Sequence, residues 1–178
     1  MTFILSCESD LDHLKENSIE ISGTIPDAYY TDFNITYSDS GLLKVKITGE
    51  ILEQFNKTKE TPGIDIMKDS VHVRFYNTNK EVTSQLFADH AVRNHKSEKM
   101  VATGNVHVIN SVKEHLNTER LTWNSRTKKI ICDTTVVVTK PGGQKIKARG
   151  LVSDEKFEQY SFKEVTGELK FKREETPK

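Results

Sequence analysis

The chain has 178 residues, 35% of them apolar and 8% aromatic, and its 26 Lys and Arg are balanced by 26 Asp and Glu. At roughly 150 residues per domain this length suits one domain with a short extension. The charge balance excludes a broad basic surface for nucleic acid, and no apolar run approaches the roughly 18 residues of a membrane-spanning helix.

The first informative segment is Met1-Thr2-Phe3-Ile4-Leu5-Ser6-Cys7-Glu8. Ile4-Leu5-Ser6-Cys7 resembles a bacterial lipobox, in which an apolar stretch and a small residue precede a cysteine that becomes acylated. The tail of such a signal's apolar core is present here. Residues 1–7 therefore read as the remnant of a lipoprotein signal with Cys7 as the lipidation site, and acyl chains there would hold the domain at a membrane surface. With Cys7 acylated, Cys132 has no partner for an intrachain disulfide and reads as a small buried apolar residue.

Residues 8–28 are polar and weakly patterned and read as a tether ending at Pro26-Asp27. From Tyr30 the period is two: Phe33, Ile35 and Tyr37 alternate with Asp32, Asn34 and Thr36, and Asp39-Ser40-Gly41 supplies a turn. Leu43, Val45 and Ile47 continue the alternation, which predicts a hairpin. Residues 57–63 form a loop by composition. Val71, Val73 and Phe75 alternate with His72, Arg74 and Tyr76 before the turn 77–80, and further strands are predicted over 82–88, 100–109, 116–123, 129–138, 145–150 and 160–171. Roughly ten short strands without a convincing helix indicate an all-β sandwich, jelly roll or open barrel, which occupies residues 29–172 and leaves 173–178 as a polar tail.

Residues 86–108 align without gaps on 116–138 at an offset of 30: Leu86 on Leu116, Asp89 on Glu119, Asn94 on Asn124, Met100 on Ile130, Val106 on Val136 and Val108 on Val138. A repeated strand-turn-strand unit implies stacked hairpins. Such a stack leaves an open edge strand at each end, and exposed edges serve for strand addition to a partner.

Catalytic patterns are absent from the sequence. His13, His72, His90, His95, His107 and His115 form neither an HExxH motif nor a metal-binding spacing with Cys. His72 and His107 occupy the polar alternates of their strands and read as solvated. No serine sits in a GxSxG elbow, and the glycines form no phosphate loop. The expectation is a non-enzyme without catalytic residues, metal or cofactor.

The alternation instead places Val45, Ile47, Val73, Phe75, Leu86 and Ala88 on a common side with Val106, Val108, Leu116, Leu121, Trp123, Val136 and Val138. Two facing sheets would enclose these residues either as a filled core or as an apolar slot, and the small Ala88, Ala91, Ala102 and Ala148 leave such a slot room.

The order of segments resembles the LptC family of periplasmic lipopolysaccharide-export proteins, accessory to an inner-membrane ABC transporter and related in fold to OstA-like bridge proteins. The residues that carry the resemblance are Thr31-Asp32-Phe33-Asn34-Ile35-Thr36-Tyr37 with Ser40-Gly41-Leu42-Leu43, the strand 71–76, Leu86-Phe87-Ala88-Asp89-His90-Ala91, Gly104-Asn105-Val106-His107-Val108, the strand 116–123, and Ile146-Lys147-Ala148-Arg149-Gly150-Leu151 leading to Phe157-Glu158-Gln159-Tyr160. The resemblance implies a twisted β-jelly roll of two facing antiparallel sheets built from stacked hairpins and open at both ends. Its interior would take lipopolysaccharide acyl chains at the thirteen positions above. Its partners would be the permease subunits of the inner-membrane ABC transporter, on the side of Phe33, Ile35 and Tyr37, and a periplasmic bridge protein of the same fold, on the side of Tyr160, Phe162 and Leu169. Many members carry an N-terminal transmembrane helix, whereas this chain shows the end of a lipoprotein signal, so the expected location is the periplasm, anchored to the inner membrane through Cys7. Two other readings stand beside this one. The first is a periplasmic assembly lipoprotein with a filled core that binds protein partners through its edge strands. The second is a carbohydrate-active jelly-roll enzyme, which would need paired carboxylates or a metal on the concave face.

Overall fold

The structure, a computed structural model, describes residues 25–167; Cys7 and Leu169 lie outside them. The described residues form nine strands: β1 (Ala28–Asp39), β2 (Leu42–Phe55), β3 (Ile64–Tyr76), β4 (Val82–Asn94), β5 (Lys99–Asn110), β6 (His115–Asn124), β7 (Lys129–Thr139), β8 (Lys145–Asp154) and β9 (Tyr160–Val165). They pair antiparallel, each with its sequence neighbours, in one sheet of order β1 to β9. The all-β jelly roll expected from the sequence is thus present, with one difference. The two facing sheets are a single sheet, because its long strands pass through both layers without ending.

What divides the sheet is a line of bulges. The pairing register shifts between Thr48 and Ile51 on β2, Lys68 and Val71 on β3, Phe87 and His90 on β4, Thr103 and Val106 on β5, Thr118 and Thr122 on β6, and Cys132 and Thr135 on β7. A bulge adds a residue to one strand of a pair and bends it. A bulge at the same level on successive strands creases the sheet into two layers. The first layer holds the turns after β1, β3, β5 and β7 at its tip, and the second holds those after β2, β4, β6 and β8.

The crease is built from residues that tolerate left-handed backbone. Asp32, Asp69, Ser70 and Asn105 have φ of 51°, 58°, 56° and 48°, and Gly104 and Gly150 both have φ of 76°. Asp and Asn enter this region more readily than other side chains, and Gly enters it freely. The crease also reverses the inward phase of alternate strands. On β2, β4, β6 and β8 the buried set steps by an odd number, from Ile47 to Leu52, Ala88 to Ala91, Thr118 to Leu121 and Ala148 to Leu151. On β3, β5 and β7 the phase is kept. Residues 51–55 and 90–94 therefore escaped a reading based on unbroken alternation, as did 64–68, which the exposed Asp69-Ser70 bulge separates from Val71, and the strands are fewer and longer than that reading implied.

The internal repeat corresponds to two superposable turns. Asn94 Oδ1 accepts from the amides of Lys96 and Ser97, at 2.9 and 3.1 Å. Asn124 Oδ1 accepts from those of Arg126 and Thr127, both at 3.0 Å. Glu98 and Lys128 then take φ of 55° and 54°. At the opposite tip Asn77 and Asn110 build a second pair of like turns, each side-chain amide donating to the glutamate four residues on.

On the outer face of the first layer His72 stacks on Phe87 with ring centroids 4.2 Å apart, and His107 Nε2 lies 2.9 Å from His115 Nδ1. These histidines are half-buried, not fully solvated as the alternation suggested. Burial lowers the pKa of His72 and His107.

Gly104 faces Asp89 across the crease, where an added Cβ would stand 2.6 Å from Asp89 Oδ2. Gly104→Ala is expected to lose about 1–2 kcal/mol through the left-handed backbone alone, with a further loss from displacing Asp89. Gly142→Ala is also at positive φ, but its Cβ would meet nothing within 4 Å. Urea denaturation should rank Gly104→Ala as the more destabilised of the two.

Candidate functional site

The bent sheet turns one face of each layer inward. All thirteen residues expected on the inner side are there, between 0% and 6% exposed, and all belong to one contiguous apolar cluster. Burying each large side chain contributes about 1.5–3 kcal/mol, so this cluster is the main source of stability. The alanines expected to leave room, Ala88, Ala91, Ala102 and Ala148, are buried in the same cluster and let the two layers approach.

Open space lies at the mouth, between the tips of the two layers. A cleft of about 510 Å³ is lined by Tyr37, Val45 and Phe75 from the first layer and by Trp123, Lys128 and Glu155 from the second. Of the thirteen expected residues, Val45, Phe75 and Trp123 line this cleft. Polar groups sit at the rim above an apolar floor, an arrangement suited to an amphiphile.

Three sets of contacts cross the mouth. At the β1 end the Arg93 guanidinium lies 4.5 Å from the centroid of the Tyr37 ring. In the middle Phe75 meets Trp123 edge to face, with centroids 5.3 Å apart. At the β9 end the turn 155–159, which belongs to the second layer's tip, reaches the first layer. Ser84 Oγ donates to the Glu155 carbonyl at 2.8 Å, and Asn110 Nδ2 donates to the Phe157 carbonyl at 2.9 Å. The Trp123 indole N–H donates to Glu155 Oε1 at 2.8 Å, and the Tyr160 hydroxyl donates to Glu114 Oε1 at 3.2 Å. Burial and the neighbouring Glu114 carboxylate push the Tyr160 phenol up to about 12, which keeps it a donor. Phe157, Glu158 and Gln159 entered the sequence reading only as part of the family resemblance, and Glu155, Lys156 and Arg93 did not enter it. A buried Phe157 within the charged run Asp154-Glu155-Lys156-Phe157-Glu158 was the available signal.

The stacked hairpins end, among the described residues, on β1 and β9. β1 pairs with β2 on one side, and β9 pairs with β8 on one side. Phe33 is buried, and Ile35, Tyr37, Tyr160 and Phe162 pack against the core. These five side chains named for the partner edges thus turn inward, and among the described residues no strand pairs with the outer side of β1 or β9. Cys132 is a free buried cysteine, 3.2 Å from the Thr118 hydroxyl.

An apolar inner face, a cleft with a polar rim and, among the described residues, an edge strand at each end of the sheet define an open β-jelly roll. The family model described as lipopolysaccharide-assembly, LptC-related, matches residues 4–169, and the chain belongs to that family. A search of curated proteins finds no match. The family acts in lipopolysaccharide transport and outer-membrane biogenesis, as an accessory component of the periplasmic and inner-membrane transport system. Among the described residues no helix is long and apolar enough to cross a membrane.

Burial raises the pKa of Glu155, against the opposing effect of its hydrogen bond from Trp123. A carboxyl raised in the folded state favours folding while neutral, and that contribution is lost as pH rises through the folded-state value. Glu155→Gln keeps an acceptor for Trp123 without the charge. Its melting temperature at pH 7.5 should equal or exceed that of the parent, and the difference should vanish near pH 4.

Proposed function

We propose that the chain binds lipopolysaccharide acyl chains between its two layers and passes them from the inner-membrane ABC transporter to a periplasmic bridge protein. The observation that carries this reading is the continuity of the inner face. Val45, Phe75 and Trp123 at the cleft floor join without interruption to Val108, Leu121 and Val138 in the cluster beneath. An acyl chain gains about 0.8 kcal/mol for each methylene taken out of water. Several chains of a dozen methylenes therefore supply ample free energy to compete with the contacts that hold the layers together.

No covalent chemistry is needed. The inner face offers apolar surface along its whole length, so a lipid can move along it in small steps of similar free energy. Net direction then comes from ATP hydrolysis in the transporter. The edge strands would supply the joints: β1, with Phe33, Ile35 and Tyr37, toward the permease subunits, and β9, with Tyr160 and Phe162, toward the bridge protein, with Leu169 assigned to the same contact. Strand addition at both edges would extend the sheet and align the inner faces of successive proteins. Acylation of Cys7, with residues 8–28 as tether, would keep the β domain on the periplasmic side of the inner membrane.

The close packing of the inner cluster favours one second reading, in which the core stays filled and the protein acts through its edges as an assembly lipoprotein. A photo-crosslinking residue separates the two. Placed at Val108 or Leu121 it should trap lipopolysaccharide in membranes, while the same residue at Arg74, on the outer face, should not. Adducts from Arg74 alone would overturn the interior site, and absence of adducts at all three positions would favour the filled-core reading.

A further inference from the structure

We infer that the turn 155–159 is a latch that closes the β9 end of the mouth and must release before lipid reaches the inner face. The inference deepens the lipid-carrying reading above and rests on it.

Two observations point to a latch. First, the inner face is shut: its side chains pack into one buried cluster between the layers, and the cleft of about 510 Å³ lies outside them at the mouth. Acyl chains can reach Val108 or Leu121 only if the layers part. Second, among the described side-chain hydrogen bonds, those that join the tips of opposite layers cluster at one end. Ser84 and Asn110 of the first layer hold the carbonyls of Glu155 and Phe157, and Glu114 accepts from Tyr160 at the start of β9.

The turn is held from within as well. Phe157 takes φ of 57° and is fully buried, its ring stacked on Tyr160 with centroids 4.9 Å apart. The left-handed backbone is what lets a tip turn drive a large aromatic side chain back between the layers, where it plugs the β9 end. At the β1 end the crossing contact is a single guanidinium over a ring. The two ends are therefore unequal. The β9 end carries a plug and three hydrogen bonds, and each bond has a water-exposed alternative once the tips separate, so release needs no rearrangement of the strands.

The latch adjoins the edge at which the bridge protein is proposed to bind, since Tyr160, the first residue of β9, is both a member of the latch and the beginning of that edge. A strand added to β9 would pull on Tyr160 and, through its ring, on Phe157. Release of the plug and docking of the next protein would then be one event, and the lipid would be freed at this end when an acceptor is in place.

The test uses the chain's single tryptophan, Trp123, which is tied to the latch through Glu155. Ser84→Cys with Glu155→Cys gives a pair whose disulfide fixes the turn to β4, and the same protein, reduced, is its own folding control. Purified lipopolysaccharide is added and bound lipid is read by co-elution; in the parent and in Ser84→Ala, which keep Glu155, opening is also read by Trp123 emission. The oxidised form should capture lipid more weakly by on the order of tenfold, because its open population is removed, and reduction should restore capture. Ser84→Ala, which removes one strap bond and leaves the core intact, should capture lipid faster than the parent with a red-shifted Trp123 emission. Equal capture by oxidised and reduced forms, or an unchanged rate in Ser84→Ala, would overturn the latch while leaving the lipid-carrying reading in place. A parent protein that captures no lipid would overturn both.

Discussion

A nine-stranded sheet can hide an apolar face from water only by closing into a barrel or by bending onto itself, and this chain bends. The constraint on which the structure depends is the alignment of one bulge per strand at a common level. Asp32, Asp69-Ser70, Gly104-Asn105 and Gly150 occupy left-handed or tightly turned backbone along this line, and the register shifts there on β2 through β7. Without the crease, the thirteen inward residues would form an open apolar wall. With it, they face one another and stabilise the fold. Closure into a barrel would have achieved the same burial, but it would have removed the two free edges and the mouth.

The crease also accounts for the distribution of charge. Asp32, Glu50, Asp69, Asp89, Glu119 and Asp133 all fall at or beside the bulges, because short polar side chains suit strained, solvent-facing backbone. Lys44, Lys128 and Lys156 lie at the opposite extreme, around the cleft, together with Asp39 and Glu155. Lys68, Arg120 and Arg149 stand beside the same bulges, so charges of both signs face solvent along the crease as they do around the cleft.

Much of this was legible in the sequence, and the parts that were not have a common cause. Alternation identified the inward residues correctly because each strand half obeys a strict period of two. It overlooked residues 51–55, 64–68 and 90–94 because a bulge reverses or interrupts that period. The expectation of two sheets came from the jelly-roll class, in which a sheet folded onto itself and two separate sheets give the same pattern of strands. The repeat at an offset of 30 was readable because the turns capped by Asn94 and Asn124 have identical hydrogen-bonding demands. The latch was not readable. A buried Phe157 in a charged turn has a meaning only when Ser84 and Asn110, 71 and 47 residues away in the chain from their acceptors, are brought opposite it. The half-buried row of His72, Phe87 and His107 was missed for a similar reason, since ring stacking across strands depends on register and not on local composition.

The central claim is that the two layers are hinged at the crease and part at the mouth to admit lipid. The tips of the layers are accessible to spin labels at Thr78, in the turn after β3, and Arg126, in the turn after β6. Pulsed electron paramagnetic resonance would measure the distance between them directly, with and without saturating lipopolysaccharide. The account predicts that lipid shifts the distribution to longer distances, while a control pair within one layer, Thr78 and Ser111, does not move. A mouth distance unchanged in protein that demonstrably carries bound lipid would contradict it.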